Sequence, residues 1–324
     1  MTLQELKEKI NNIFSAEYST SIYLVLKQDD NLKIKLADIE NSHTKPEIED
    51  LFVNNIKSRI LNNDELELCE LSIADQRDNA IYHYDYDEFP EELGLFNEFN
   101  IETYVGNIEK FDFSQDDLSK LHGYIIYIGS MKNGIVLFKK HYPISLIKRD
   151  SFLLGAIKSK QRFEKIQGDD IIRLNGAIQL VRIDGETFVI DTAVLEKNLG
   201  FTQLIFKAAG ETTQAIEELD LLEDIQVLKD AAEEVAFARK LSKVKKSSPI
   251  FQFNISKEAI IAFTKTIPAL SGKFKYNTEG NAIRLDTKKS KDAFIKLMND
   301  AFLHSELTKQ YYEAKAKDNI TLES

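Results

Sequence analysis

Apolar positions along this chain follow two periods, one in each part. Leu3, Leu6, Ile10 and Ile13 recur at helical spacing, which predicts a short helix over 2–14. Residues 21–27 and 32–37 read as strands joined by the polar turn Gln28-Asp29-Asp30-Asn31. Pro46 opens a helix to about 61, with Ile48, Leu51, Phe52, Ile56 and Ile60 on one stripe. Residues 80–86 alternate as a strand. Two hairpins follow. Residues 121–128 and 135–140 flank Lys132-Asn133-Gly134, and residues 171–183 and 187–190 flank Asp184-Gly185. Asn-Gly and Asp-Gly favour the tight turns that match strand twist.

From about residue 192 the period moves from 2 toward 3.6. Helices are expected over 192–199, 203–222, 223–244, 256–266, 290–299 and 305–315, with a short strand at 283–285. The 223–244 helix would carry the seam Leu222, Ile225, Leu228, Ala232 and Val235, and Pro249 would end that stretch. A seam spaced near 3.5 packs inside one chain or between two. Strands first and helices last point to an α+β architecture. It has an N-terminal mixed region with antiparallel hairpins and a C-terminal mainly helical region with a short strand. The period change puts the boundary near 200. This gives an acidic, strand-rich α+β domain over 1–200 and a mainly helical, basic domain over 201–324.

Composition narrows the class. Hydrophobic residues at 43% and charged residues at 29% suit a packed globular chain. Cys69 stands alone, so no intramolecular disulfide forms and a reducing compartment is expected. The start MTLQELKEK carries charge where a signal peptide needs an apolar stretch, and no apolar run reaches the roughly 20 residues of a membrane span. These features predict a soluble, cytoplasmic protein. The net charge of −11 hides an asymmetry. Residues 1–120 hold 11 Lys and Arg against 27 Asp and Glu, and the remainder holds 31 against 26. Within 239–291 there are 13 basic residues against three acids, Glu258, Glu279 and Asp286. Such a basic end suggests an anionic partner.

Motifs for common chemistries are absent. His43, His83, His122, His141 and His304 form no H-E-x-x-H pair, and one cysteine builds no thiolate zinc site. There is no P-loop, no dinucleotide fingerprint and no G-x-S-x-G elbow. Asp286 and Lys288 form a D-x-K fragment that, on a strand, would share a face as in a metal-dependent nuclease. The second acid such a site needs is not evident, since Glu279 falls in a Glu-Gly turn. Asp85-Tyr86-Asp87-Glu88 matches no cation loop and reads as a solvated rim. The strongest local feature is Arg239-Lys240-Leu241-Ser242-Lys243-Val244-Lys245-Lys246. Five cations in eight residues exceed what a helix dipole needs at its C-terminus. Lys273 and Lys275 alternate with Phe274 and Tyr276, so the aromatics are core or a stacking platform, with core favoured. Lys288, Lys289 and Lys291 follow, and Lys158-Ser159-Lys160-Gln161-Arg162 could join the same surface.

Several segments, in this order, resemble the KwaB family of the Kiwa anti-phage defence system. They are Leu137-Phe138-Lys139-Lys140-His141-Tyr142-Pro143, Phe237-Ala238-Arg239-Lys240-Leu241, Lys246-Ser247-Ser248-Pro249, Gly272-Lys273-Phe274-Lys275-Tyr276, and the run from Leu285-Asp286-Thr287-Lys288 through Phe294-Ile295-Lys296-Leu297 to Ser305-Glu306-Leu307-Thr308-Lys309. The resemblance is densest from about 121 to 315. It implies a cytosolic effector that binds DNA and impedes phage replication or late expression. It also implies self-association, as a homodimer, and recruitment to the inner membrane through the membrane protein KwaA. The combined expectation is sequence-tolerant DNA binding with no catalysis, no metal and no cofactor. Arg239, Lys240, Lys243, Lys245 and Lys246 would supply phosphate contacts, helped by Lys273, Lys275, Arg284, Lys288 and Lys289. The alternatives are a metal-dependent nuclease centred on Asp286 and Lys288, and a module whose basic face meets a protein or lipid instead of DNA.

Overall fold

The computed structural model describes residues 1–29, 31–40, 43–73, 79–104, 106–147, 153–157, 162–166 and 171–314. The chain divides into two compact units, Met1–Gly200 and Phe201–Ser324. The architecture is α+β, with antiparallel hairpins in the first unit and mostly helix in the second. Among the described residues no helix is long and apolar enough to cross a membrane.

The first unit opens with α1 (Leu3–Ser15), whose Thr2 and Glu5 form a reciprocal capping box. Next come β1 (Ser19–Gln28), β2 (Asn31–Leu36) and α2 (Thr44–Ile56), which runs into a π-helical turn at Lys57–Leu61. β3 (Glu67–Glu70) and β4 (Ala80–His83) are short. A 3-10 turn at Glu91–Leu93 leads into the short helices α3 (Gly94–Asn97) and α4 (Ile101–Tyr104). β5 (Leu121–Ser130) and β6 (Asn133–Lys140) form the central hairpin. The predicted strand over 171–183 is two pieces. β7 (Leu146–Ile147) and β10 (Ile171–Ile172) pair with each other, as do β8 (Leu153–Ile157) and β9 (Arg162–Ile166). β11 (Leu180–Ile183) and β12 (Glu186–Val189) close the sheet, and α5 (Thr192–Asn198) follows on an Asp191 cap. The turn between β11 and β12 holds Asp184 at φ 50° and Gly185 at φ 80°, the doubly left-handed pair that Asp-Gly predicts.

The main sheet runs β2-β1-β5-β6-β11-β12-β4-β3 and is antiparallel except between β3 and β4. Alternation gives it two buried faces. Ile22, Leu24, Leu26, Ile126 and Leu137 point to one face and pack with Leu6 and Ile10 of α1 and Phe52 and Ile56 of α2. Tyr23 and Phe138 point to the other, where Phe99 and Phe96 meet them edge-on. Arg182 on this second face donates to the carbonyls of Asn97, at 2.6 Å, and Phe99. The guanidinium thus caps the end of α3. Arg182→Met should cost about 2–3 kcal/mol, because both carbonyls lose a charged donor; the urea midpoint reads this.

The second unit comprises α6 (Phe201–Glu218), α7 (Gln226–Ala231), α8 (Val235–Ser242), α9 (Val244–Ser247), α10 (Pro249–Gln252) and α11 (Lys257–Thr266). The hairpin β13 (Lys275–Tyr276) and β14 (Ile283–Arg284) precedes α12 (Lys288–Met298), and β15 (Phe302–His304) pairs with β16 (Tyr311–Glu313). Two sequence expectations are corrected here. The helix over 223–244 is broken, because Leu221 and Glu223 exchange backbone hydrogen bonds with Ile283 and Glu234 is extended. Leu222, Ile225, Leu228, Ala232 and Val235 therefore form no continuous seam. The helix over 305–315 is a hairpin across its described part. Asp300 (φ 49°) follows the end of α12, Lys309 (φ 55°) turns the chain, and Tyr311 and Tyr312 favour strand.

Candidate nucleic-acid interface

The second unit brings parts of its basic sequence together. Lys240 on α8 lies 3.0 Å from Asp292 on α12, so the 239–246 cluster and the 288–291 lysines occupy neighbouring helices. Ser248 donates to the carbonyl of Met298, which holds the start of α10 against the end of α12. Arg239 and Lys243 are half-buried in and after α8, and Lys245 is exposed. Lys246 belongs to α9, and its side chain lies outside the described ones. Lys158, Ser159, Lys160 and Gln161 lie outside the described residues, as does the side chain of Arg162.

Among the described residues, at least four of the ten candidate cations are paired with carboxylates. These are Lys240 with Asp292 at 3.0 Å, Lys245 with Glu211 at 3.4 Å, Lys275 with Asp286 at 2.8 Å, and Arg284 with Glu223. The last pair is bidentate, with Nη2 to Oε1 at 2.8 Å. It holds the Glu223 carboxyl below its ordinary range, chiefly through the Arg284 hydrogen bond. Lys273 stands 5.3 Å over the Phe302 ring. Phe274 is buried and Tyr276 donates to Thr264 at 3.0 Å, so these aromatics are core and not a stacking platform.

Lys288, Lys289 and Lys291 differ from the paired cations. They lie in the first turn of α12, which contains no acid, and no ion-pair partner faces them among the described residues. Thr287 and Ser290 cap that end reciprocally. Cations there oppose the helix dipole, so local helix stability does not account for them. The strand premise of the D-x-K fragment is corrected: β14 ends at Arg284, and Lys288 opens a helix. Among the described residues no group of three or more His, Cys, Asp or Glu is arranged to hold a metal.

A family profile described as Kiwa protein KwaB-like matches residues 118–308. A curated relative, Kiwa protein KwaB of Escherichia coli O55:H7, is 30% identical over 325 residues, covering 99% of each chain. The chain belongs to the KwaB-like family. No solved structure matches it.

A second polar cluster, in the first unit, escaped the sequence reading. β1 and β5 pair Val25 with Gly123 and Leu26 with Leu121, so His122 is the extra residue of a β-bulge. Its Nδ1 lies 3.0 Å from Lys140 Nζ, and its Nε2 lies 2.9 Å from Glu92 Oε2. Lys27 pairs with the other oxygen of Glu92. On the opposite face Lys139 donates to Asn175 Oδ1 at 2.5 Å and to the Ala177 carbonyl at 2.8 Å. Tyr124 and His141 are joined at 2.9 Å. Burial pushes Lys139 and Lys140 down to about 8. Burial, then Lys140, lowers His122 below the ordinary histidine range. The only sequence signal was the Lys-Lys-His run at 139–141; the bulge depends on cross-strand register.

These shifts set a pH dependence. Between about 8 and the ordinary lysine value of roughly 10.4, the unfolded chain binds more protons than the folded one, so stability rises with pH there. Each lysine contributes at most about 1.4 kcal/mol per pH unit. Urea midpoints from pH 8 to 10 should carry this rise, and Lys139→Met should remove its share.

Proposed function

We propose that this protein serves Kiwa anti-phage defence by binding DNA through the basic face of its second unit, without base preference and without cleaving it. Family membership supports the defence role. The observation that carries the DNA reading is the trio Lys288, Lys289 and Lys291 at the start of α12, unpaired among the described residues, beside the α8 helix that bears Arg239 and Lys240. Lysines of this kind give affinity and a steep salt dependence without reading bases. The resemblance supports two further proposals, assembly with the membrane protein KwaA, which would recruit the protein to the inner membrane, and a homodimer. The broken 223–244 segment leaves the dimer without an assigned surface.

A gel-shift titration on linear and circular DNA, with and without Mg²⁺ and across salt concentration, tests the reading. Salt-sensitive retardation of intact DNA, independent of sequence, is expected. Divalent-dependent nicking would make the protein a nuclease. Failure to bind DNA at low salt would leave an interaction module in its place.

A further inference from the structure

We propose that Lys140 is a nucleophilic amine that condenses with an anionic carbonyl compound, with His122 carrying its proton. The site is built by the bulge in β5. In regular pairing His122 would share the face of Tyr124, two residues on, which is the α1 and α2 side. The extra residue turns its imidazole toward Lys140 instead. Gly123, the cross-strand partner of Lys140, puts no side chain between them.

The arrangement is that of an amine, a base and a group that orients the base. Glu92 Oε2 is buried and lacks a hydrogen bond of good geometry among the described residues, and His122 Nε2 stands 2.9 Å from it. Lys140 Nζ lies 3.0 Å from Nδ1 and 3.4 Å from Nε2, so the ring nitrogens stand within reach of its proton. His122 is held neutral by its surroundings and can accept a proton, and a useful fraction of Lys140 is neutral near pH 8. Lys27, paired with the other oxygen of Glu92, places a cation near the neutral amine, which suits an anionic substrate, an α-oxo acid or a phosphorylated aldehyde. The neutral amine attacks the carbonyl carbon, and the nitrogen gives one proton to His122, which passes it to the oxygen to form the carbinolamine hydroxyl. His122 then carries the second N–H proton to that hydroxyl, which leaves as water as the C=N bond of the imine forms. Carbonyl and amine give imine and water, with no redox partner.

Lys139 is an internal control. Its amine is weakened to about the same value by burial, yet among the described residues it donates to two neutral oxygens and makes no hydrogen bond to a base. The test uses the full chain with pyridoxal 5′-phosphate at pH 7.5, borohydride trapping and peptide mapping by mass. Lys140 should take label about tenfold or more faster than Lys139, Lys288 or Lys289, and His122→Phe should cut the Lys140 rate about tenfold. Each variant is compared with wild type by circular dichroism. If His122→Phe is unfolded, Glu92→Gln replaces it, with a fall of about threefold expected. No adduct at Lys140, labelling of Lys139 or the exposed lysines at the same rate, or a Lys140 rate indifferent to the folded variant would each overturn the proposal.

Discussion

Replacing Lys288, Lys289 and Lys291 together by Ala should lower DNA affinity about tenfold or more near 0.1 M salt. The slope of log affinity against log salt should become shallower by roughly 0.9 per lysine. The three side chains crowd the first turn of α12, where no acid balances them. Because they oppose the helix dipole, removing them should leave the thermal midpoint unchanged or raise it, which separates lost binding from lost folding. The companion variant Lys240→Ala, Lys245→Ala and Lys275→Ala should lose less affinity, since each of these amines already faces a carboxylate. Equal losses in the two triple variants would mean that the ion pairs open freely when DNA arrives. An unchanged affinity and slope in the α12 variant would move the DNA contact off this helix.

Local signals in the sequence served well where local chemistry decides. Asp184-Gly185 supplies the two left-handed residues of its turn, and Ser256 caps α11 by accepting from Ala259. They failed where a distant strand competes. Residues 219–244 have a helical pattern throughout, but the backbone of Ile283 recruits Leu221 and Glu223. At the other end of this unit, cross-strand pairing of Leu303 with Tyr312 turned a predicted helix into a hairpin. The basic site was half legible. A count over 239–291 found the cations but not the carboxylates that neutralise several of them, because Glu211 and Glu223 lie well before that window in the sequence and Asp292 one residue after it. The His122 cluster was unreadable for a different reason. Alternation places His122 with Tyr124, and only the register between β1 and β5 shows that one residue is extra.

Neutralising the carboxylates should do the opposite of removing the lysines. Glu223→Gln, Asp286→Asn and Asp292→Asn should each tighten DNA binding about two- to fivefold, the ordinary worth of an exposed ion pair. In the free protein, Glu223 occupies both donors of the Nε–Nη2 edge of Arg284, a bidentate edge that a phosphate would use, and Asp286 and Asp292 hold Lys275 and Lys240. A phosphate must displace each carboxylate and also meets its negative charge. The amide keeps the size of the side chain and removes both obstacles. The combined variant should therefore bind more tightly and show a steeper salt slope, by as much as about 0.9 for each cation released. A tighter complex with an unchanged slope would mean that repulsion was relieved but no new phosphate contact was made. Weaker binding by a folded variant would mean that these ion pairs hold the basic side chains in the geometry DNA needs, and the carboxylates would then count as part of the interface.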